Sequence, residues 1–385
     1  MKTPLRYSVI PAKAGISLLG VLLFSVACSH TQPYTRARVR DPQSSAIEQR
    51  IIFVGDAGKA TPGDAVWAKL DRYLTKDALV VFLGDNVYEY GLPDESENDG
   101  SYELYAARLS AQINAAKKAR KTIFIPGNHD WNSSRSNGRK RILAQQRFVT
   151  QRGAHFAPQN GCAGIAAEPV GKSSVMLFID SQAVIDLPDD EAAAAKAPPS
   201  DCAIKHKRQF ETFAGDYLQK NIKPGTRIIL AAHHPLMSEG SHGGFFDWPH
   251  HIFPVYNYNK YFPLPVVASL VVFTRQWGWI TSTDISHSKY RKYLNSIATI
   301  LKNREVFLYA AGHDHNLQLF SGTGPVKYHL VSGSGSKRDP VTHNDQTLLA
   351  WEKNGFFVVD IYADASARAT AVGDSFEEEL VFELR

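Results

Sequence analysis

The chain has 385 residues, 44% of them hydrophobic and 11% aromatic, with 27 glycines and 20 prolines. This balance excludes a disordered, collagen-like or coiled-coil protein and allows one large α/β domain or two modest ones. The formal net charge is +5, but Lys2, Arg6 and Lys13 all lie in the first 27 residues, so the remainder points to no nucleic acid or other polyanion.

In chain order, the first feature is an apolar run over residues 16–27 (ISLLGVLLFSVA) behind those basic residues. At about 1.5 Å per residue it is too short for a hydrocarbon core of about 30 Å, but it suits a secretory signal peptide. The run ends in Ser25-Val26-Ala27-Cys28. This resembles the bacterial lipoprotein box, with Ser25 where leucine is usual. The resemblance implies a signal peptide over 1–27 and a lipid anchor to the membrane through Cys28. Ser29 then implies an outer-membrane lipoprotein of the bacterial cell envelope, facing the periplasm or the surface. Residues 28–45 are polar and read as a tether before a catalytic domain over 46–385. Cys162 and Cys202 remain. An oxidising compartment permits a disulfide between them; two buried thiols are the other reading.

Residues 50–54 form a short apolar run of the kind a buried strand makes. Residues 64–74 carry apolar positions at helical spacing (Val66, Trp67, Leu70, Leu74), and 78–83 form a second buried strand. A helix over 104–119 and a strand over 122–126 follow. The pattern repeats as strand 174–179, helix 206–220, strand 227–232, helix 289–303 and strand 305–310, with a surface loop at 192–199. After Leu317 the runs LQLF, KYHLVSG, GFFVVDIYA and ARATAV are strand-like. The alternation predicts an α/β fold with a mostly parallel sheet covered by helices, and the late strands predict a second sheet packed on it.

Five polar clusters stand just after predicted strands: Asp56-Ala57-Gly58, Gly84-Asp85-Asn86-Val87-Tyr88, Gly127-Asn128-His129-Asp130, His233-His234-Pro235 and Gly312-His313-Asp314-His315. Ligands of open α/β sheets bind beyond the strand C-termini. Singly each cluster is weak, since a post-strand Asp is often a helix cap and Gly-Asp a common turn. Together they place carboxylates, a phenol, an amide and imidazoles on one edge, without a thiolate. That inventory suits two borderline metal ions.

The order of these motifs resembles the calcineurin-like metallophosphoesterase superfamily, over roughly residues 51–363. Its fold is two packed mixed β-sheets flanked by helices, an αββα sandwich. Gly58 replaces the histidine that many members carry there, and Tyr88 stands three after Asp85, a pairing that resembles the purple acid phosphatase branch. The resemblance implies one ion on Asp56, Asp85, Tyr88 and His315, and another on Asp85, Asn128, His233 and His313, with Asp85 shared. A tyrosinate favours Fe(III); neutral His and Asn suit Fe(II), Zn or Mn. The implied activity is hydrolysis of small phosphate monoesters by a water bridging the two ions.

Three more histidines are candidates for catalysis. His129 follows a ligand, which puts its ring at the site mouth, and the resemblance implies contact with the phosphoryl oxygens. His242, in SEGSHGG, resembles a loop histidine of the small purple acid phosphatases, which implies that it can protonate the leaving group, and His234 lies beside His233. Residues 243–288 are aromatic and proline-rich, with an apolar run over 266–273 too short to span a bilayer. They read as a packed insertion over the site, or as a membrane-facing or substrate-selecting lid. Two other functions remain open on sequence: a phosphodiesterase or a nucleotide or lipid-head-group phosphoesterase with the same metals, and a degenerate surface lipoprotein without activity. No protein partner is evident.

Overall fold

The computed structural model describes residues 32–41, 43, 45–97, 100–254, 261–375, 377 and 379–385. The expectations for the leader, Cys28 and Ser29 lie outside the described residues.

Two eight-stranded mixed sheets pack face to face. The first runs, edge to edge, Arg38–Val39, Leu380–Leu384, Ala367–Gly373, Gly355–Tyr362, Ile47–Val54, Leu79–Phe82, Lys121–Phe124 and His155–Phe156. Its strands from Ile47 to Phe156 are mutually parallel, and the others are antiparallel. The second runs Tyr34–Thr35, Thr347–Trp351, Leu317–Ser321, Val326–Ser332, Val306–Ala311, Arg227–Ala232, Ser174–Ile179 and Ile165–Val170. Its parallel centre is made of the strands beginning at Val326, Val306, Arg227 and Ser174.

Strand side chains alternate between two buried faces, which is why these strands read as continuous apolar runs. Ile51, Phe53, Leu79, Val81 and Ile123 of the first sheet meet Met176, Phe178, Ile229 and Leu308 of the second in the central core. Ile52, Val54, Val80 and Phe82 face outward against helices Ala65–Tyr73, Tyr102–Ala115 and Gly138–Gln151. Leu177, Ile179, Ile228 and Leu230 face the opposite way, against helices Ser181–Asp186, Lys207–Asn221 and Ser288–Ile300. The layers are therefore helix, sheet, sheet, helix.

Three details differ from the sequence reading or settle it. Part of the expected tether is paired: Tyr34 sits opposite Ala350 in one sheet and Arg38 opposite Phe382 in the other. Edge strands with open hydrogen-bonding groups capture this polar segment. Cys162 and Cys202 form a disulfide, joining the loop before Ile165–Val170 to the approach to Lys207–Asn221. The apolar run over 266–273 lies inside a helix, Pro265–Gln276, opened by its proline.

Candidate metal centre

All five clusters lie at C-terminal ends of the parallel strands, drawn from both sheets. Asp56 follows Ile47–Val54, Asp85 follows Leu79–Phe82 and Asn128 follows Lys121–Phe124; His233 follows Arg227–Ala232 and His313 follows Val306–Ala311. Backbone bonds tie the loops together: Gly55 N–H donates to Ser332 O, Asp56 N–H to Gly84 O and Gly312 N–H to His233 O. Asp56, Asp85 and His313 have φ of 58°, 51° and 74°. Such conformations cost non-glycine residues about 1–3 kcal/mol each and collect at functional sites.

Two subsets meet at Asp85. In the first, the Tyr88 hydroxyl donates to Asp56 Oδ1 at 2.7 Å and lies 3.1 Å from His315 Nε2. In the second, His233 Nε2 is 3.0 Å from Asn128 Oδ1 and 3.4 Å from Asp85 Oδ1, while His313 Nδ1 is 3.1 Å from Asn128 Oδ1. Asp85 Oδ1 also accepts from His129 N–H at 2.9 Å.

The outer nitrogens of the three candidate ligand histidines decide what the inner ones are. His233 Nδ1 is 2.8 Å from Leu83 O, His313 Nε2 is 2.7 Å from Thr283 O, and His315 Nδ1 is 2.6 Å from Asp339 Oδ2. Each outer partner only accepts, so each of these nitrogens donates. In the neutral rings the inner nitrogens then carry lone pairs, and those of His233 and His313 face one another at 3.2 Å. Lone pairs converging among oxygens repel unless a cation lies between them. Imidazoles pinned from behind in this way are the usual arrangement of metal ligands.

Charge makes the same demand. Burial, and then Asp85, push the Asp56 carboxyl well above its ordinary range, and burial with Asp56 and Asp85 pushes the Tyr88 phenol up. Burial also works to raise Asp85, but His233 and His129 outweigh it and hold that carboxyl low. Two buried carboxylates and a phenol at one point are stable as anions only beside a cation. Asp56, Asp85 and His233, and separately His233, His234 and His313, are close enough to share an ion. The donor set therefore fits two ions.

The turns leave no room for alternatives at key points. A Cβ on Gly58 would lie 2.7 Å from both Asp85 O and Val87 N, so any side chain there is sterically opposed. Gly84 has φ +91°, and its Cβ would lie 2.6 Å from His233 Nδ1. Asp130 is the hub, accepting from the N–H groups of Gly127, Asn86 and Val87 and from Asn86 Nδ2. Burial and neighbouring Asp85 push it up to about 8 against these donors.

A family model for calcineurin-like phosphoesterases matches residues 49–317, from the first parallel strand to the last cluster. The chain belongs to the calcineurin-like phosphoesterases. Among curated sequences none matches it significantly. Its fold is similar to GAP50 of Plasmodium, described as the anchor in the inner membrane complex, with a TM-score of 0.55 at 16% identity over 88% of this chain and 89% of that one. It is also similar to the purple acid phosphatase PPD1 of yellow lupin, with a TM-score of 0.51 at 13% identity over 88% of this chain and 54% of that one. It thus spans about half of the lupin enzyme's length. At these identities the likeness shows the fold alone.

The remaining histidines of this phosphoesterase separate by position. His129 is half-buried beside Asp85, with Nδ1 2.6 Å from Glu89 O. Nδ1 therefore donates, and contact of Nε2 with a phosphoryl oxygen requires the second proton. His242 Nδ1 is 2.9 Å from Asp284 Oδ1, and its ring stacks on His313 at 4.1 Å. His234 is fully buried, with Nδ1 2.8 Å from Ser181 Oγ and Nε2 without a hydrogen-bond partner among the described residues. His234 thus lies fully buried beside His233 and His313 of the second subset.

Sequence reasoning missed the residues that orient these rings: Thr283, Asp284 and Asp339. It also missed Lys337, whose Nζ lies 3.6 Å from the Tyr88 ring centroid. None stands in a post-strand cluster, and Asp339 and Lys337 come from the loop after Val326–Ser332. A carboxylate shortly beyond the last cluster was the available signal. Thr283 and Asp284 come from the 243–288 insertion. The last turn of its helix carries Arg275, which donates to Asp284 at 2.9 and 2.6 Å. The insertion is therefore part of the site's scaffold. A cavity of about 600 Å³ beside the disulfide, lined in part by Trp131, Leu187 and Pro188, contains none of these site residues.

Proposed function

We propose that this phosphoesterase is a dinuclear metal phosphomonoesterase of the purple acid phosphatase type. The observation that supports it is the inward-facing set of three pinned imidazoles among Asp56, Asp85, Tyr88 and Asn128. One ion would be held by Asp56, Asp85, Tyr88 and His315, and Fe(III) suits the phenolate. The other would be held by Asp85, Asn128, His233 and His313, which suit Fe(II), Zn or Mn. When bound, the ions supply charge neutralisation and activation of water. Phosphoryl transfer asks mainly for positioning and electrostatics, so no covalent nucleophile is required of the chain.

The chain's own groups supply the rest. Asp339, Leu83 O and Thr283 O hold the ligand rings in one tautomer. His242, kept in place by Asp284, presents Nε2 to the leaving oxygen as proton donor. His129 stands at the mouth for the phosphoryl group. The substrates are small phosphate monoesters. We place the enzyme in the bacterial envelope, tethered through lipid on Cys28.

The test is metal content together with ester preference. The purified protein should hold two ions and hydrolyse para-nitrophenyl phosphate faster than its bis-ester. Asp85→Asn should lose at least one ion and nearly all turnover, because that carboxylate is shared. Preference for the bis-ester would make it a diesterase. Full metal content and normal rates in Asp85→Asn would remove the two-ion assignment.

A further inference from the structure

We propose that the outer face of the insertion, over the described residues 248–254 and 261–280, docks onto a lipid bilayer. The helix Pro265–Gln276 buries Ala268 and Val272 toward the protein. Its opposite face is also apolar: Val266 (82% exposed), Leu270 (61%), Phe273 (45%) and, just beyond the helix, Trp277 (62%) follow one another at helical spacing. A surface helix ordinarily turns polar side chains to water. Tyr261 and Phe262 lie exposed before this helix, and Trp279 and Ile280 after it; Trp248 is exposed in the neighbouring turn Trp248–His251.

The chemistry selects lipid over a protein groove. Aliphatic side chains occupy the middle of the face and aromatic ones its ends, the distribution favoured at a membrane interface, where indole and phenol rings sit at headgroup level. Residues 248–283 contain no Asp or Glu, in a chain with 38 of them, and they carry Lys260 and Arg275. A face without carboxylates meets no repulsion from lipid phosphates. No helix among the described residues is long and apolar enough to cross a membrane, so the helix would lie along the surface. Arg275 fixes it to Asp284 and so to the His242 side of the site. The inference does not depend on which phosphate ester is cleaved.

The chain has six tryptophans. Trp67 and Trp351 are buried and Trp131 is half-buried, while Trp248, Trp277 and Trp279 all lie on this face. The full chain should therefore be reconstituted with phosphatidylethanolamine–phosphatidylglycerol vesicles bearing brominated acyl chains, since bromine quenches tryptophan on contact. An anchor at Cys28 does not confuse the reading, because the leader contains no tryptophan. Emission should fall to roughly half, in line with interfacial seating of the three exposed rings. Leu270→Asp combined with Phe273→Asp should abolish the quenching while turnover of soluble para-nitrophenyl phosphate stays at the wild-type rate. Should the double variant fail to fold, Val266→Asp alone serves, expected to reduce quenching at least twofold. No quenching in the wild type overturns the proposal, as does full quenching in the variants. So does a wild-type dimer in sedimentation that Leu270→Asp turns into monomers, which would make the face an interface between copies. Turnover reads the metal site separately, so failure of docking and failure of the esterase reading are told apart.

Discussion

Replacing His242 by alanine separates proton donation from metal binding. Asp284 holds Nδ1 at 2.9 Å and His313 covers one face of the ring at 4.1 Å, so Nε2 is the end open to a leaving group. Burial draws this imidazole down, but the bond to Asp284 and the charges of Asp314 and Asp284 hold it above its ordinary value. A raised value keeps the ring protonated further into the neutral range, as a proton donor requires. A general acid contributes about 10²–10⁴-fold, equivalent to about 3–5 kcal/mol of barrier. His242→Ala should lower kcat on alkyl phosphates by that factor. On para-nitrophenyl phosphate the loss should stay below about tenfold, because nitrophenolate departs without a proton. Metal content should not change. Asp284→Asn keeps the ring but removes the charge that raises it. The wild-type rate on alkyl esters is present below the folded value of His242 and lost as pH rises through it, so this loss should move to lower pH in Asp284→Asn. Rate against pH on both esters, with metal analysis, measures all of this. Equal losses on the two esters, an unmoved alkaline limb or loss of metal from His242→Ala would refute the assignment.

Tyr88→Phe should abolish a broad visible band from phenolate-to-Fe(III) charge transfer while circular dichroism stays native; a band that survives would take Tyr88 out of the site. Cys162→Ser with Cys202→Ser opens a loop of sequence separation 40. The chain-entropy model sets its cost at about 4 kcal/mol, to be read as a lower denaturation midpoint, with metal content unchanged because neither sulfur touches the site.

The strand segments 51–54, 79–82, 228–232 and 306–310 were legible because each is buried on both faces. A run such as LVVF then admits no polar residue, and its boundaries show as Gly, Asp or His. The post-strand clusters were legible for a related reason. Glycines such as Gly58 and Gly84 stand where any Cβ would strike a neighbouring loop, so they mark tight turns in the sequence. The strand Ile165–Val170 and the helix Gly138–Gln151 were not foreseen. The first carries Glu168 and Pro169 at a sheet edge, and the second is rich in Arg, Lys and Gln with a narrow apolar stripe. In both, tertiary packing outweighs a weak local signal.

By itself the sequence determined the kind of donors and their order, because a metal site needs oxygen and imidazole side chains at the ends of strands that enter it. Only the tertiary structure decided how those donors are set. Whether His233 presents Nδ1 or Nε2 depends on where Leu83 O lies, and Leu83 is far away in sequence. Asp339 behind His315, and Thr283 and Asp284 behind His313 and His242, are likewise brought in by loops with no fixed spacing to the motifs. The same holds for the insertion. Its composition was visible, but burial of Ala268 and Val272 with Leu270 and Phe273 left outside is a matter of which side of the helix meets the protein. A local pattern can state that a segment is apolar; only packing decides which of its faces is covered.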